Sequence, residues 1–120
     1  VSDHSPCIPE LKHGDFLSPW GGVASLQFVL PIVWTNAQQR GFTIPDLVRW
    51  CSQAPARLAG LTGRCVIEPG FDADLVIWSP EESFVVEEAL IEHRHKTTPY
   101  LGTTLRGVVK ETWVSGLRAW

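Results

Sequence analysis

Apolar residues recur every three to four positions between Val23 and Ala37, which is the spacing of one face of an α-helix. Pro31 lies inside this pattern and predicts a kink or a break, because proline cannot donate a backbone hydrogen bond. Gly41 suits the position just past the end of the helix. The residues before the pattern, 1–20, are rich in proline and glycine and predict a strand end followed by an irregular loop.

A second helix is predicted to begin after Thr43. Its hydroxyl suits an N-cap, and Asp46 three residues later lies near the positive end of the helix dipole. Pro55 either ends this helix or begins another short one.

Beyond residue 63 the periodicity changes to that of strands. Residues 74–78 are apolar on both faces and predict a buried strand. A second strand is predicted over 105–114, followed by a turn at Ser115-Gly116 and a last strand over 117–120. The acidic stretch 81–92 suggests a short helix around 87–91.

The order of elements is strand end, loop, helices and then strands. This order predicts an α/β fold in which residues 1–62 form the last strand and helices of a barrel, and residues 63–120 form part of a small β-domain.

Composition limits the classes of function. The net charge of −3 and the lack of a basic stripe disfavour nucleic-acid binding. No apolar run approaches the roughly 20 residues that a membrane span requires. The three scattered cysteines favour a reducing, intracellular compartment, with the cytosol preferred. The chain has no methionine and begins with Val1, so we expect a C-terminal fragment of a longer protein.

The candidate for chemistry is Asp3, at the mouth of a predicted strand. There a carboxylate can bind a metal ion or act as a general base, although the same residues also suit a polar turn. His4 would point to the opposite side of an extended backbone, so it is not expected to bind the same ion as Asp3. We predict that His4 instead supports the site through hydrogen bonds.

Other candidates are less specific. Cys7 either lines the site or is a buried, inert thiol. The Trp20-Gly21-Gly22 segment either presents backbone N–H groups to a substrate or only permits a tight entry into the helix. His93 and His95 are spaced for a metal pair on a strand, but their basic neighbours favour a solvated loop.

Several motifs occur together and in order. They are Ser-Asp-His-Ser-Pro-Cys at 2–7, Trp-Gly-Gly-Val-Ala-Ser-Leu-Gln at 20–27, Gly-Phe-Asp-Ala-Asp-Leu-Val at 70–76, Arg-His-Lys-Thr-Thr-Pro-Tyr-Leu-Gly at 94–102 and Gly-Val-Val at 107–109. This combination resembles the cyclic amidohydrolases, and most of all their allantoinase branch.

The resemblance implies a metal-dependent (β/α)8 barrel with a small β-sandwich. It implies a hydrolase that opens the ring of (S)-allantoin to allantoate in purine breakdown, with two divalent ions, usually zinc, and a homotetramer or other homo-oligomer. Asp3 matches the family's metal-binding aspartate, which also shuttles the proton. Cys7, Trp20, Gly21 and Gly22 are then expected to contact substrate, and His4 to support Asp3.

The chain departs from the family pattern in two ways. The other metal ligands of the family, which lie upstream, are absent, so we expect these 120 residues alone to be inactive. Ala54 stands where relatives often have asparagine, which puts a helix-cap hydrogen bond in doubt. Two alternatives remain open: a hydantoinase, dihydropyrimidinase or dihydroorotase, and a non-catalytic scaffold of the same fold.

Overall fold

The computed structural model describes residues 2–120, which pack as two compact units. Unit 1 comprises residues 2–29 and 84–105, and unit 2 comprises residues 30–83 and 106–120. These units record which segments pack together within this chain. The predicted division at residues 62 and 63 concerns the domains of a longer protein, and it stays a prediction.

Unit 1 contains little regular structure beyond three short 3-10 turns, Pro9–Lys12, Leu26–Phe28 and Glu88–Leu90. Val86 and Ile91 are fully buried and, together with the buried Phe28, lie in its core. The side chain of Gln27 joins the two segments, because it donates to the carbonyl oxygen of Leu90 at 2.6 Å and accepts the N–H of Glu92 at 2.8 Å. The helix suggested around residues 87–91 is thus only the turn Glu88–Leu90.

Helix α1 spans Val29–Gln39 and starts later than the apolar pattern from Val23 predicts. The late start explains why Pro31 causes no break. It lies in the first turn, where backbone N–H groups have no partner within the helix. Past the helix end, Gly41 donates to Gln38 O and Phe42 donates to Ala37 O, both at 3.0 Å, so the prediction of Gly41 as the terminating residue is confirmed.

Helix α2 spans Ile44–Val48, a π-helical turn follows at Arg49–Gln53, and helix α3 spans Ala54–Leu58. The predicted start at Thr43 is confirmed. The Asp46 carboxylate accepts the Thr43 N–H at 3.0 Å and its hydroxyl at 2.8 Å. Pro55 lies in the first turn of α3, so it begins a helix.

The sheet has three strands in the order β1-β2-β3, namely Leu75–Val85, Thr104–Val114 and Leu117–Arg118. β2 and β3 are antiparallel around the predicted turn, with Trp113 opposite Arg118. The prediction of a buried first strand is wrong for the described residues. Val76 and Ile77 are about half exposed, because β1 is an edge of this sheet and nothing in residues 2–120 covers both its faces.

In unit 2, α1 packs on the sheet through Trp34 and Trp78, whose rings meet edge to face at 5.6 Å. The indole N–H of Trp34 donates to the carbonyl oxygen of Pro80 at 2.9 Å. Gly107 makes this packing possible, because a Cβ there would lie 2.8 Å from the Trp78 ring. Among the described residues, no helix is both long and apolar enough to cross a membrane.

Candidate functional site

The predicted strand end is present as a single parallel bridge between His4 and Val23 in unit 1. The Val23 N–H donates to Asp3 O, and the Ser5 N–H donates to Val23 O, each at 3.0 Å. This pairing brings the Asp3 segment beside the glycine pair that precedes Val23. The structure therefore joins two motifs that are nearly 20 residues apart in the sequence.

Asp3 is exposed and has a positive φ of 51°, a conformation that aspartate tolerates better than most residues. Its carboxylate accepts no hydrogen bond from residues 2–120, so both oxygens are available to an external ligand. Carboxylate oxygens are suitable ligands for a divalent ion. Within residues 2–120, however, no group of three or more histidine, cysteine, aspartate or glutamate side chains could hold a metal ion. The predicted role of Asp3 as a metal ligand stays a prediction.

The His4 ring is fixed by backbone donors at the start of the turn before α1. Its Nδ1 accepts the N–H of Ser25 at 3.2 Å and the N–H of Leu26 at 3.1 Å. Because Nδ1 accepts, a neutral His4 carries its proton on Nε2. These contacts suit the predicted supporting role of His4, which stays a prediction.

His93 packs against His4, with ring centroids 5.4 Å apart and an interplanar angle of 71°. Both His93 ring nitrogens are buried and have no hydrogen-bond partner among the described residues. Burial lowers the pKa of His93 below its ordinary value, and the nearby His4 and Lys96 lower it further. Residues 93–95 form bends, so His93 and His95 do not share a strand face.

Sequence reasoning missed the His4–His93 contact. Eighty-nine positions separate the two residues, and no local pattern links them. The sequence signal for this contact was that the motif at 2–7 and the motif at 94–102 occur together in one chain.

The Trp20-Gly21-Gly22 segment lies against Ser5. The Trp20 indole N–H donates to the Ser5 hydroxyl oxygen at 2.9 Å, although Trp20 remains 55% exposed. A Cβ on Gly22 would lie 2.3 Å from the Ser5 Cβ, whereas a Cβ on Gly21 would meet nothing within 4 Å. The segment precedes an extended residue and not a helix, so the alternative of a tight entry into the helix does not describe it.

Cys7, the remaining candidate, is 6% exposed. Its thiol is therefore part of the packing of unit 1 in the described residues. Its predicted contact with substrate stays a prediction, as do those of Trp20, Gly21 and Gly22.

A separate apolar cavity of about 370 Å³ lies within unit 2. Residues of α1, α2, the π-helical turn, β1 and the loop before β1 line it, and none of the predicted site residues does. Most of its lining residues are apolar, and Cys51, Cys65 and Asp74 also line it. The chemistry predicted from the sequence is therefore not located there.

The comparisons with known proteins agree on one family. The sequence profile described as "Amidohydrolase family" matches residues 13–118. An allantoinase of Streptomyces avermitilis is 48% identical over 98% of this chain and 26% of its own length. An allantoinase of Arabidopsis thaliana is 46% identical over 96% of this chain and 24% of its own length. The chain thus spans about a quarter of the length of the curated relatives it matches.

Solved structures show the same fold. The L-hydantoinase of Arthrobacter aurescens superposes with a TM-score of 0.76 at 27% identity, over 84% of this chain and 23% of that one. A D-hydantoinase superposes with a TM-score of 0.78 at 24% identity, over 87% of this chain and 23% of that one. The predicted fold class, the last part of an α/β amidohydrolase barrel with part of a β-domain, is confirmed. The chain belongs to the amidohydrolase family.

Proposed function

We propose that these residues are about a quarter of a metal-dependent hydrolase that opens the ring of (S)-allantoin to allantoate. The observation that supports it best is the 39–48% identity, over nearly the whole chain, to proteins named allantoinase or probable allantoinase. The structural relatives named hydantoinase are only 24–27% identical, which favours allantoin over hydantoin as the substrate.

In this proposal Asp3 is both a metal ligand and the proton carrier. Two divalent ions, zinc by preference, would supply a nucleophile at neutral pH and polarise the amide carbonyl. The Asp3 carboxylate, with no protein donor on it in residues 2–120, accepts the proton released by the attacking water. The C–O bond to the carbonyl carbon forms as this proton leaves the water, and Asp3 then delivers the proton to the ring nitrogen as the C–N bond breaks.

The other predicted residues hold this arrangement. His4 fixes the turn at Ser25 and Leu26, and the His4–Val23 bridge holds the backbone of Asp3. Trp20, Gly21, Gly22 and Cys7 are proposed to line the substrate side. A homotetramer or other homo-oligomer, located in the cytosol, completes the proposal.

Full-length protein containing this chain tests the assignment. Its kcat/KM is measured on allantoin, hydantoin, dihydrouracil and dihydroorotate with zinc supplied, and bound metal is counted by elemental analysis. We expect the highest kcat/KM on allantoin and two ions per subunit. A preference for hydantoin or a dihydropyrimidine would favour the sister enzymes. No turnover of any of these cyclic amides would favour the non-catalytic scaffold.

A further inference from the structure

We propose that Lys12 is a positioning residue, whose ammonium group fixes the Trp20–Gly22 backbone against Asp3. The catalytic part of this inference rests on the proposed function, because it takes Asp3 to be the reacting carboxylate. The structural part depends only on contacts within unit 1.

Lys12 is the last residue of the 3-10 turn Pro9–Lys12, and its side chain extends to the backbone of Trp20 and Gly22. Its Nζ donates to Trp20 O at 2.7 Å and to Gly22 O at 2.8 Å. Both distances are those of charge-assisted hydrogen bonds. Within residues 2–120, Lys12 forms no ion pair with a carboxylate, so its charge is directed at these two carbonyl groups.

The second of these contacts acts directly on Asp3. The carbonyl of Gly22 and the N–H of Val23 belong to the same planar peptide group, and they point in opposite directions. Lys12 holds the oxygen on one side, and the N–H on the other side donates to Asp3 O at 3.0 Å. Lys12 and the Asp3 backbone are therefore linked through one rigid unit.

The first contact sets a neighbouring peptide group. The Trp20 carbonyl is held by Lys12, so the N–H of Gly21, in the same peptide plane, is turned away from Lys12. Among residues 2–120 this N–H has no acceptor. An oriented backbone donor two residues before the Val23–Asp3 hydrogen bond suits an oxygen of the substrate, such as a carbonyl of a cyclic amide.

The segment is also tied at Trp20 by other bonds, which make it a defined structure and not a loose loop. The Trp20 N–H donates to Leu11 O at 2.8 Å, and its indole N–H donates to Ser5 Oγ at 2.9 Å. Loss of Lys12 would leave Trp20 in place and free the Gly22 peptide to rotate. The effect should therefore appear at Val23 and Asp3.

The test uses full-length protein and the variants Lys12→Met, Lys12→Gln and Lys12→Arg. Lys110→Met is the matched control, because Lys110 pairs with Glu82 in unit 2 and not with the site. Amide hydrogen exchange is measured at Val23 and Ser5, and kcat and KM are measured on allantoin. We expect Val23 exchange to rise about tenfold, and kcat/KM to fall about tenfold, in Lys12→Met, as for loss of a hydrogen bond from a charged group.

Lys12→Arg keeps a charged donor and should recover part of both losses, whereas Lys12→Gln should not and Lys110→Met should change neither. If Lys12→Met does not fold, the remaining three proteins provide the same test. Val23 exchange should then increase, and kcat/KM should decrease, from wild type to Lys12→Arg to Lys12→Gln. Unchanged Val23 exchange in the Lys12 variants would overturn the proposal. Raised exchange with kcat/KM within about twofold of wild type would overturn the catalytic part. If wild type opens no cyclic amide, the proposed function fails, and the exchange rates alone still decide whether Lys12 fixes the backbone.

Discussion

Gly22 lies so close to Ser5 that a side chain on the glycine would have its Cβ 2.3 Å from the Ser5 Cβ. The first atom of the Ser5 side chain cannot swing away, so the backbone itself would have to move. Gly22 also has φ +79°, which costs an L-residue about 1–2 kcal/mol. The Asp3 segment and the Gly22 segment can therefore approach only because residue 22 has no side chain.

Gly22→Ala should separate these segments and disturb Asp3. We expect the free energy of unfolding to fall by about 2 kcal/mol or more, because strain and overlap add. We also expect kcat/KM on allantoin to fall more than about tenfold, since displacement of a catalytic group by a small distance is costly. Thermal denaturation and steady-state kinetics of the full-length protein measure both.

Gly21→Ala is the matched control. A Cβ on Gly21 meets nothing within 4 Å, and Gly21 is not among the glycines with positive φ. Its melting temperature should stay near that of wild type. Equal losses in the two variants would contradict the role assigned to the Gly22–Ser5 approach.

Asp3→Asn tests the proposed proton carrier. The amide cannot take up the proton of the attacking water, so kcat should fall by about 10³-fold or more. Asp3 is exposed and its side chain holds no other group of residues 2–120, so the melting temperature of metal-free protein should hardly change. The control is Glu10→Gln, an exposed acid in the nearby 3-10 turn. Turnover by Asp3→Asn within about tenfold of wild type would rule out the assigned role.

Local sequence signals predicted two helix boundaries, the end of α1 and the start of α2. Thr43 and Asp46 lie three residues apart, and Gly41 stands next to the helix it ends, so each interaction is contained in a few residues. The predicted start of α1 is too early because the apolar spacing begins at Val23, which pairs with His4 as an isolated bridge, and runs on through the 3-10 turn Leu26–Phe28. Periodicity reports which side chains are buried, and it does not separate a helix from the segment that leads into it.

The candidate site was predictable in its motifs and not in its contacts. Asp3 and the Trp20–Gly22 segment were identified as sequence motifs, but their pairing through Val23 depends on tertiary structure. His93 meets His4 only because two distant segments pack in unit 1. The apolar run of β1 predicts a buried strand, but it does not say which segment covers the strand. Within residues 2–120, Val76 and Ile77 are about half exposed.

His4 gives a test that separates support from metal binding. His4→Phe removes the acceptor for the Ser25 and Leu26 N–H groups. The Ser25 bond is part-buried and the Leu26 bond is exposed, so the loss should cost about 1 kcal/mol. His4→Asn keeps an acceptor atom near the position of Nδ1 and should lose less. We expect His4→Asn to retain the metal content of wild type. Loss of one equivalent of metal in that variant would mean that His4 is itself a ligand.

The isolated 120-residue chain should not open allantoin, even with zinc added. Within residues 2–120 no group of three or more suitable side chains could hold the metal, so Asp3 would act without the rest of its site. Large apolar side chains such as Phe16 and Leu17, which are 99% and 90% exposed, also favour aggregation. Ring opening is measured as the amount of allantoate formed over time. Turnover above that of the same chain carrying Asp3→Asn would contradict this expectation.

His93 should make the stability of the full-length protein depend on pH. Its pKa is lowered in the folded state by burial and by His4, Lys96 and His95, whereas the unfolded chain titrates near the ordinary value of about 6.5. As pH falls below about 6.5, His93 becomes protonated in the unfolded chain but stays neutral in the folded protein. The free energy of unfolding therefore decreases until the pH reaches the lowered pKa of folded His93. Above that window His93 is neutral in both states and contributes no pH dependence.

His93→Asn should remove this part of the pH dependence and flatten the fall in the free energy of unfolding between pH 6.5 and lower pH. His13→Asn controls for the loss of a histidine at an exposed position of unit 1. Denaturant unfolding across the pH range provides the measurement, and the difference between the two variants isolates His93. A steeper loss of stability towards acid pH in His93→Asn than in His13→Asn would reverse the sign expected from a buried, neutral imidazole.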